Sequence, residues 1–233
     1  MRFGRAVVLV LWASACVNIT VNDTGGTGGA NGTPTGGATD PTSGADAGCD
    51  AGADSCGAYG PPRATDKVTL RGNLDQTAWV LTWDPANPKT SSNFTTSVTV
   101  YDSLGMAIQL DIYFSKNDRA NTQAGDSGDW SYHVVTDGAN LAFLGDGATP
   151  AAAGIPAEVA GGTLRFDTAG RLISTVASLE GFYPKDAEGP QPISFNLGTG
   201  TIEGGNGLDG MVQYAATSAI SFVSQSGWAA VAP

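Results

Sequence analysis

Apolar and polar positions alternate through the second half of the chain. Ile108, Leu110, Ile112 and Phe114 fall on one face of an extended segment, and Gln109, Asp111 and Tyr113 on the other. Ser97-Val-Thr-Val-Tyr101 alternates too. Between the two runs lies Asp102-Ser-Leu-Gly105, with Asp at the first turn position and Gly at the fourth. Asp caps such a turn with its carboxylate and Gly accepts the left-handed conformation, so 97–114 reads as a β-hairpin with Asp102 and Gly105 as its structural turn residues. Asp167-Thr-Ala-Gly170 repeats that chemistry between two further strand candidates, 163–166 and 172–176.

Other segments of strand character are 67–70, 78–83, 130–135 and 193–197. The polar, Gly-bearing stretch 117–129 reads as a long exposed loop. Helix signals are scarce: 148–153 is Ala-rich but interrupted by Pro150, Gly154 and Pro156, and 214–223 fits either helix or strand. Short strands separated by turn signals every dozen residues predict an all-β fold, an antiparallel sandwich or barrel-like domain over 63–233.

Composition divides the rest of the chain. Arg2 and Arg5 precede a short apolar run from Ala6 to Trp12, the layout of a secretion signal over 1–16. Ala13-Ser-Ala-Cys16 follows and resembles the lipobox of bacterial lipoproteins, in which the Cys becomes the mature N-terminus and carries lipid. The position three before the Cys is Ala in place of the preferred Leu. Lipidation of Cys16 is the expected reading, which makes the membrane a partner through a lipid anchor; ordinary cleavage after Ala15, leaving a free thiol, is the alternative. Residues 17–62 read as a disordered tether. Twelve of the chain's 33 Gly and five Asp lie in 17–60, with no Lys or Arg, and its large apolar residues are Val17, Ile19, Val21 and Tyr59. Such a segment buries too little surface to offset its ordering entropy. Cys49 and Cys56, seven apart in this tether, are expected to form a disulfide in an exported compartment, a redox or metal pair being the alternative. The Asn-x-Thr triplets at Asn18, Asn22 and Asn31 carry no weight beside a bacterial-type signal.

The charge balance excludes several function classes. Eleven Lys+Arg against 22 Asp+Glu give a net charge of −11, which argues against a nucleic-acid partner, since phosphate neutralisation needs a basic face. A single His and the lack of Cys at metal spacing argue against a zinc site, and no apolar run reaches the roughly 20 residues of a spanning helix. No cofactor is expected. A nucleophilic triad would need His133, which sits in Trp130-Ser-Tyr-His-Val-Val135 without a candidate nucleophile beside it. Paired carboxylates could hydrolyse a glycoside, but Asp102, Asp137, Asp146 and Asp167 sit in Gly/Ser/Thr turns, where Asp serves the backbone. Asn117, Asp118, Asp126 and Asp129 crowd one stretch and raise Ca²⁺, without the ligand alternation of an EF-hand; a solvated acidic loop is the simpler reading. Trp79, Trp83, Trp130 and Trp228 could line a sugar-binding face, or pack a core as strand Trp residues usually do.

Several segments in order resemble the flagellar hook protein family. They are Leu70-Arg-Gly-Asn-Leu-Asp75, Asn93-Phe-Thr-Thr-Ser-Val-Thr-Val-Tyr-Asp-Ser-Leu-Gly105 and Trp130-Ser-Tyr-His-Val-Val-Thr-Asp-Gly138. Leu164-Arg-Phe-Asp-Thr-Ala-Gly-Arg-Leu172, Ile193-Ser-Phe-Asn-Leu-Gly-Thr-Gly200, Leu208-Asp-Gly-Met-Val-Gln-Tyr214 and Ile220-Ser-Phe-Val-Ser-Gln-Ser-Gly-Trp228 complete the series. The resemblance implies the outer β-domain of the hook, a structural, non-enzymatic part that contacts its neighbours in a filament. The family's inner-tube helices have no counterpart here, and the expected lipid signal replaces them, so the chain is not expected to polymerise as a hook. The expected function is a lipid-anchored cell-envelope protein that displays a hook-type domain. Its expected site is the outer membrane, periplasmic or surface-facing, with protein partners in the envelope or the flagellar assembly. A surface module binding polysaccharide or protein is the alternative.

Overall fold

The computed structural model describes residues 61–117, 126–178 and 181–230. The signal, the tether and the residues Cys16, Cys49 and Cys56 lie outside them. The described part is all-β, as the alternation predicts. Eleven strands follow in order: β1 (Lys67–Asp75), β2 (Phe94–Tyr101), β3 (Ala107–Lys116), β4 (Asp126–Asp137), β5 (Leu141–Phe143), β6 (Pro156–Asp167), β7 (Leu172–Ser178), β8 (Tyr183–Pro184), β9 (Ser194–Asn196), β10 (Met211–Tyr214) and β11 (Ala219–Gln225). Two short 3-10 turns, Gly138–Asn140 and Thr201–Glu203, are the helical elements among the described residues.

The larger sheet is antiparallel, in the order β2-β3-β4-β6-β7. β2 pairs with β3 from Phe94 opposite Phe114 to Tyr101 opposite Ala107, which realises the expected hairpin. The smaller sheet centres on β1, flanked by β11 on one side and by β9 and β10 on the other. β1 runs antiparallel to β11, in keeping with the antiparallel fold, and parallel to both β9 and β10. Those contacts join residues more than 120 positions apart, and no local pattern announces them. β5 and β8 form a separate two-stranded ladder.

The two sheets close over one core. Val68, Leu70 and Leu74 of β1 meet Ile108, Leu110, Ile112 and Phe114 of β3, Trp130, Tyr132 and Val134 of β4, and Leu164 and Phe166 of β6. Each such side chain contributes roughly 1.5–3 kcal/mol when removed from water. The opposite face of β3 is also covered in part: Tyr113 and Ser115 are buried there. The connection from β1 to β2 crosses it, and the Ser115 hydroxyl donates to Ser91 O at 2.9 Å while Lys116 N–H donates to Asn93 Oδ1 at 2.7 Å.

Three further expectations change. Residues 78–83 are not a strand; Leu81 N–H donates to Lys116 O, but no ladder forms along the segment, which belongs to the crossing connection. Residues 126–129, expected in a loop, begin β4, because pairing with Arg165, Phe166 and Asp167 overrides their polar composition. The strand expected at 163–166 starts at Pro156. Its first half, Ala157 to Gly162, is too rich in small residues to alternate legibly, and it carries a bulge that buries Val159 and Ala160 together. Residues 214–223 resolve as the end of β10, a turn and most of β11.

Candidate interaction surface

The turns come first, since they fix the strand ends. Asp102 lies between β2 and β3, 1% exposed, and its Oδ1 accepts from Leu104 N–H and Met106 N–H, both at 2.9 Å. Gly105 adopts a φ of 79°, and a Cβ there would stand 2.7 Å from both Ala230 N and Pro62 Cβ. Asp167 does the same work between β6 and β7. Its Oδ1 accepts from Ala169 N–H and Arg171 N–H, and its Oδ2 from Arg171 Nε at 2.8 Å. Partial burial pushes the Asp167 carboxyl up, but the Arg171 N–H, the Arg171 guanidinium and the Ala169 N–H outweigh it and hold the carboxyl below the ordinary range. Asp146 is lowered to about 2, chiefly by the Thr149 hydroxyl and N–H. The Asp residues of the turns are committed to backbone, which leaves no carboxylate pair poised for hydrolysis among them.

On the outer face of the larger sheet, His133 and Glu158 meet across β4 and β6, with Nδ1 and Oε1 2.7 Å apart. Trp83, brought in by the crossing connection, stacks on the imidazole with ring centroids 4.0 Å apart and planes 5° apart. Tyr113 lies 5.6 Å from the Trp83 ring. Its hydroxyl titrates above the usual range, first through burial and then through the neighbouring Asp111. The cluster pins the connection to the sheet. No nucleophile is hydrogen-bonded to His133 among the described residues, so the arrangement is a clasp. No local pattern announces the Trp83 contact, which depends on the path of the connection.

The four Trp residues do not share a face. Trp130 is fully buried in the core, Trp83 is half-buried in the clasp, and Trp79 is 86% exposed. Trp228 lies far along the chain, against Arg63, whose guanidinium sits 5.3 Å from the ring centroid. The alternative of a shared sugar-binding face is therefore broken up, and Trp130 packs the core as a strand Trp usually does. Of the Ca²⁺ candidates the side chain of Asp126 lies outside the described residues, and among the described residues no cluster of three His, Cys, Asp or Glu could hold a metal. Asn117 instead donates to the Ser131 hydroxyl at 2.8 Å, and Asp129 faces Arg165 at 3.9 Å. Asp118 lies outside the described residues. An apolar cleft of about 490 Å³ opens between Leu110 and Val159 on one side and Phe182, Ile193 and Phe195 on the other.

The distribution of charge among the strands is the most informative surface feature. Every charged residue in a described strand sits on β1, β3, β4 or β6, the strands with a neighbour on each side. The flanking strands β2, β7, β9, β10 and β11 carry none. β11 is the most open of them. Of its seven residues five are exposed, including Phe222 at 46% and Val223 at 44%. The sequence held a signal for this: the chain has no charged residue from Gly210 to its last residue.

The family model described as "Flagellar basal body protein FlaE D2 domain" matches residues 70–228, which is most of the described fold. The chain belongs to this family. The matched D2 domain opens within β1 and closes at Trp228, whose N–H donates to the O of Arg63, a residue just ahead of the matched range, at 3.0 Å. Among solved structures, the chain is similar to the "32 kDa Fragment of the Flagellar hook protein FlgE from Caulobacter crescentus", at 16% identity and a TM-score of 0.39. That likeness covers 62% of this chain and 52% of the fragment, so the chain spans about half the length of the structure it matches. No curated protein matches the chain.

Proposed function

We propose that the protein is a non-enzymatic, lipid-anchored part of the bacterial cell envelope that displays a hook-type D2 domain on a flexible tether, in the service of the motility apparatus. The observation that carries this reading is the match of the D2 family over residues 70–228, behind a segment that reads as signal, lipidated Cys16 and tether. The side-chain chemistry of the domain is consistent with a structural role: its turn carboxylates bind backbone and its one His is clasped between Trp83 and Glu158. A tether of about 45 residues has a root-mean-square reach of roughly 35–40 Å, enough to hold the domain clear of a membrane surface.

Fractionation tests the anchor. The parent protein is expected in the membrane pellet and Cys16→Ser in the soluble fraction; a variant that stays in the pellet overturns the lipid anchor. Swimming assays and co-purification with hook–basal bodies test the motility role. A deletion strain that swims normally, with the protein absent from purified basal bodies, overturns that part of the proposal.

A further inference from the structure

An edge strand presents a row of unpaired N–H and C=O groups, and proteins ordinarily blunt it with charge, Pro or a covering segment. β11, Ala219–Gln225, has neither charge nor Pro. Among the described residues only β1 pairs with it; β2 passes close to it without forming a ladder. One device is present: a bulge at Ser221, where the register with β1 shifts between Arg71 and Gly72 and the Ser221 hydroxyl donates to Arg71 O. The bulge disrupts the N-terminal half of the strand and leaves Phe222 to Ser226 regular.

The phase of the ladder decides which groups are free. Ser226 N–H donates to Lys67 O at 3.1 Å, and Ser224 and Phe222 lie opposite Thr69 and Arg71. Alternate residues therefore turn their backbone groups toward β1, and those of Val223 and Gln225 face the open side. We infer that this edge pairs antiparallel with the same edge of a second copy of the chain, about a two-fold axis through Ser224. In that register Val223 of each copy faces Gln225 of the other, and the free N–H and C=O groups form four backbone hydrogen bonds without involving the bulge. Ser224 faces its own copy, an arrangement that suits paired hydroxyls, and Phe222 packs over the partner strand.

The occupant follows from charge. A two-fold axis sets a strand against itself, so any charged residue near the axis would meet its like. The protein as a whole is strongly acidic and its copies repel one another, yet residues 210–233 carry no charge at all. Two cations of β1 lie nearby on the exposed face, Lys67 opposite Ser226 and Arg71 over the Phe222 ring at 5.4 Å, and neither is on the strand that meets its copy. The contact is small, a few residues from each copy, so it belongs with weak interfaces that matter where copies are held close together. It requires neither the lipid on Cys16 nor a role in motility.

Sedimentation of the full chain from about 10 µM to about 1 mM, the range for a small interface, is expected to show a monomer–dimer equilibrium. Val223→Lys is expected to weaken the dimer at least about tenfold. Thr95→Lys, on the β2 edge, is expected to leave it unchanged. With Ser224→Cys, mild oxidation is expected to give a covalent dimer joined at position 224, since facing residues of a non-hydrogen-bonded pair have Cα atoms about 4.5 Å apart. A chain monomeric throughout the range overturns the inference. So does a dimer that survives Val223→Lys, or one that is lost with Thr95→Lys, or an oxidised Ser224→Cys protein with no cross-link at that position.

Discussion

The central strands and the edge strands of this domain are built on opposite rules. β3, β4 and β6 supply most of the core on one face and carry charge on the other. The polar side chains there find partners across the sheet: His133 against Glu158, and Arg165 beside Asp129 in the register that joins β4 to β6. The edges β2, β7 and β11 carry no charge, although charge at an edge is the common protection against unwanted pairing. Two turns of the same chemistry join the classes. Asp102–Gly105 links edge β2 to central β3, and Asp167–Gly170 links central β6 to edge β7. The difference separates two tasks. On the inference drawn above, folding rests on the centre and the uncharged flanks serve contacts between chains.

If that separation holds, damage at the centre should cost most. Trp130 of β4 is fully buried, faces Lys116 of β3 and Leu164 of β6 in register, and belongs to the common core. Trp130→Ala is expected to lower the unfolding free energy by about 3–5 kcal/mol in urea titration, the range for a large aromatic removed from a core. A loss under about 1 kcal/mol would place the weight of the fold elsewhere.

The connecting turns come next. Gly170 has a φ of 79°, and a Cβ there would run into Gln213 O. Gly170→Ala is expected to cost about 2 kcal/mol by the same measurement, from the left-handed conformation and the clash together. Asp167→Asn keeps the shape of the turn but removes the charge on its bonds to the Arg171 and Ala169 N–H groups and to the Arg171 guanidinium. A loss of about 1 kcal/mol is expected at neutral pH. The sign with pH is fixed. The folded Asp167 carboxyl titrates below its unfolded value, so its contribution is complete above about pH 4 and fades as pH falls through the lowered folded value. Parent and Asp167→Asn should therefore converge in acid; a gap that stays constant to pH 2 would show that charge is not what the turn uses.

The parts of this scheme differ in how plainly the sequence announces them. The hairpin of β2 and β3 is legible because alternation and turn chemistry agree over 97–114. The Asp167–Gly170 turn is legible for the same reason. The first half of β6 is not, since Ala157, Ala160, Gly161 and Gly162 offer no contrast of faces and a bulge displaces the period. Residues 78–83 show the reverse failure. Two Trp residues with Val and Leu mark a strand by composition, yet their places are set by tertiary contacts, Trp83 on His133 and Leu81 N–H on Lys116 O. The parallel partners of β1 have no local signal because the sequence separation is large. The openness of β11 shows only once β1 is known to be its neighbour, although the uncharged run that suits it is visible from the start.

The smallest effect is the most pointed test of the contrast. Thr95 is exposed on β2, at the outer edge of the larger sheet. If edges contribute little to folding, Thr95→Lys should change stability by less than about 0.5 kcal/mol, as surface substitutions do away from special features. The long aliphatic stem of Lys can lie along the strand while its ammonium stays in water. The same residue type placed at Leu164, central and fully buried, would strand a charge in the core and is expected to prevent folding. A thermal shift for Thr95→Lys of several degrees in either direction would mean that the edge is under folding pressure after all. Its lack of charge would then need a reason inside the domain, such as the close passage of β2 beside β11, and not one outside it.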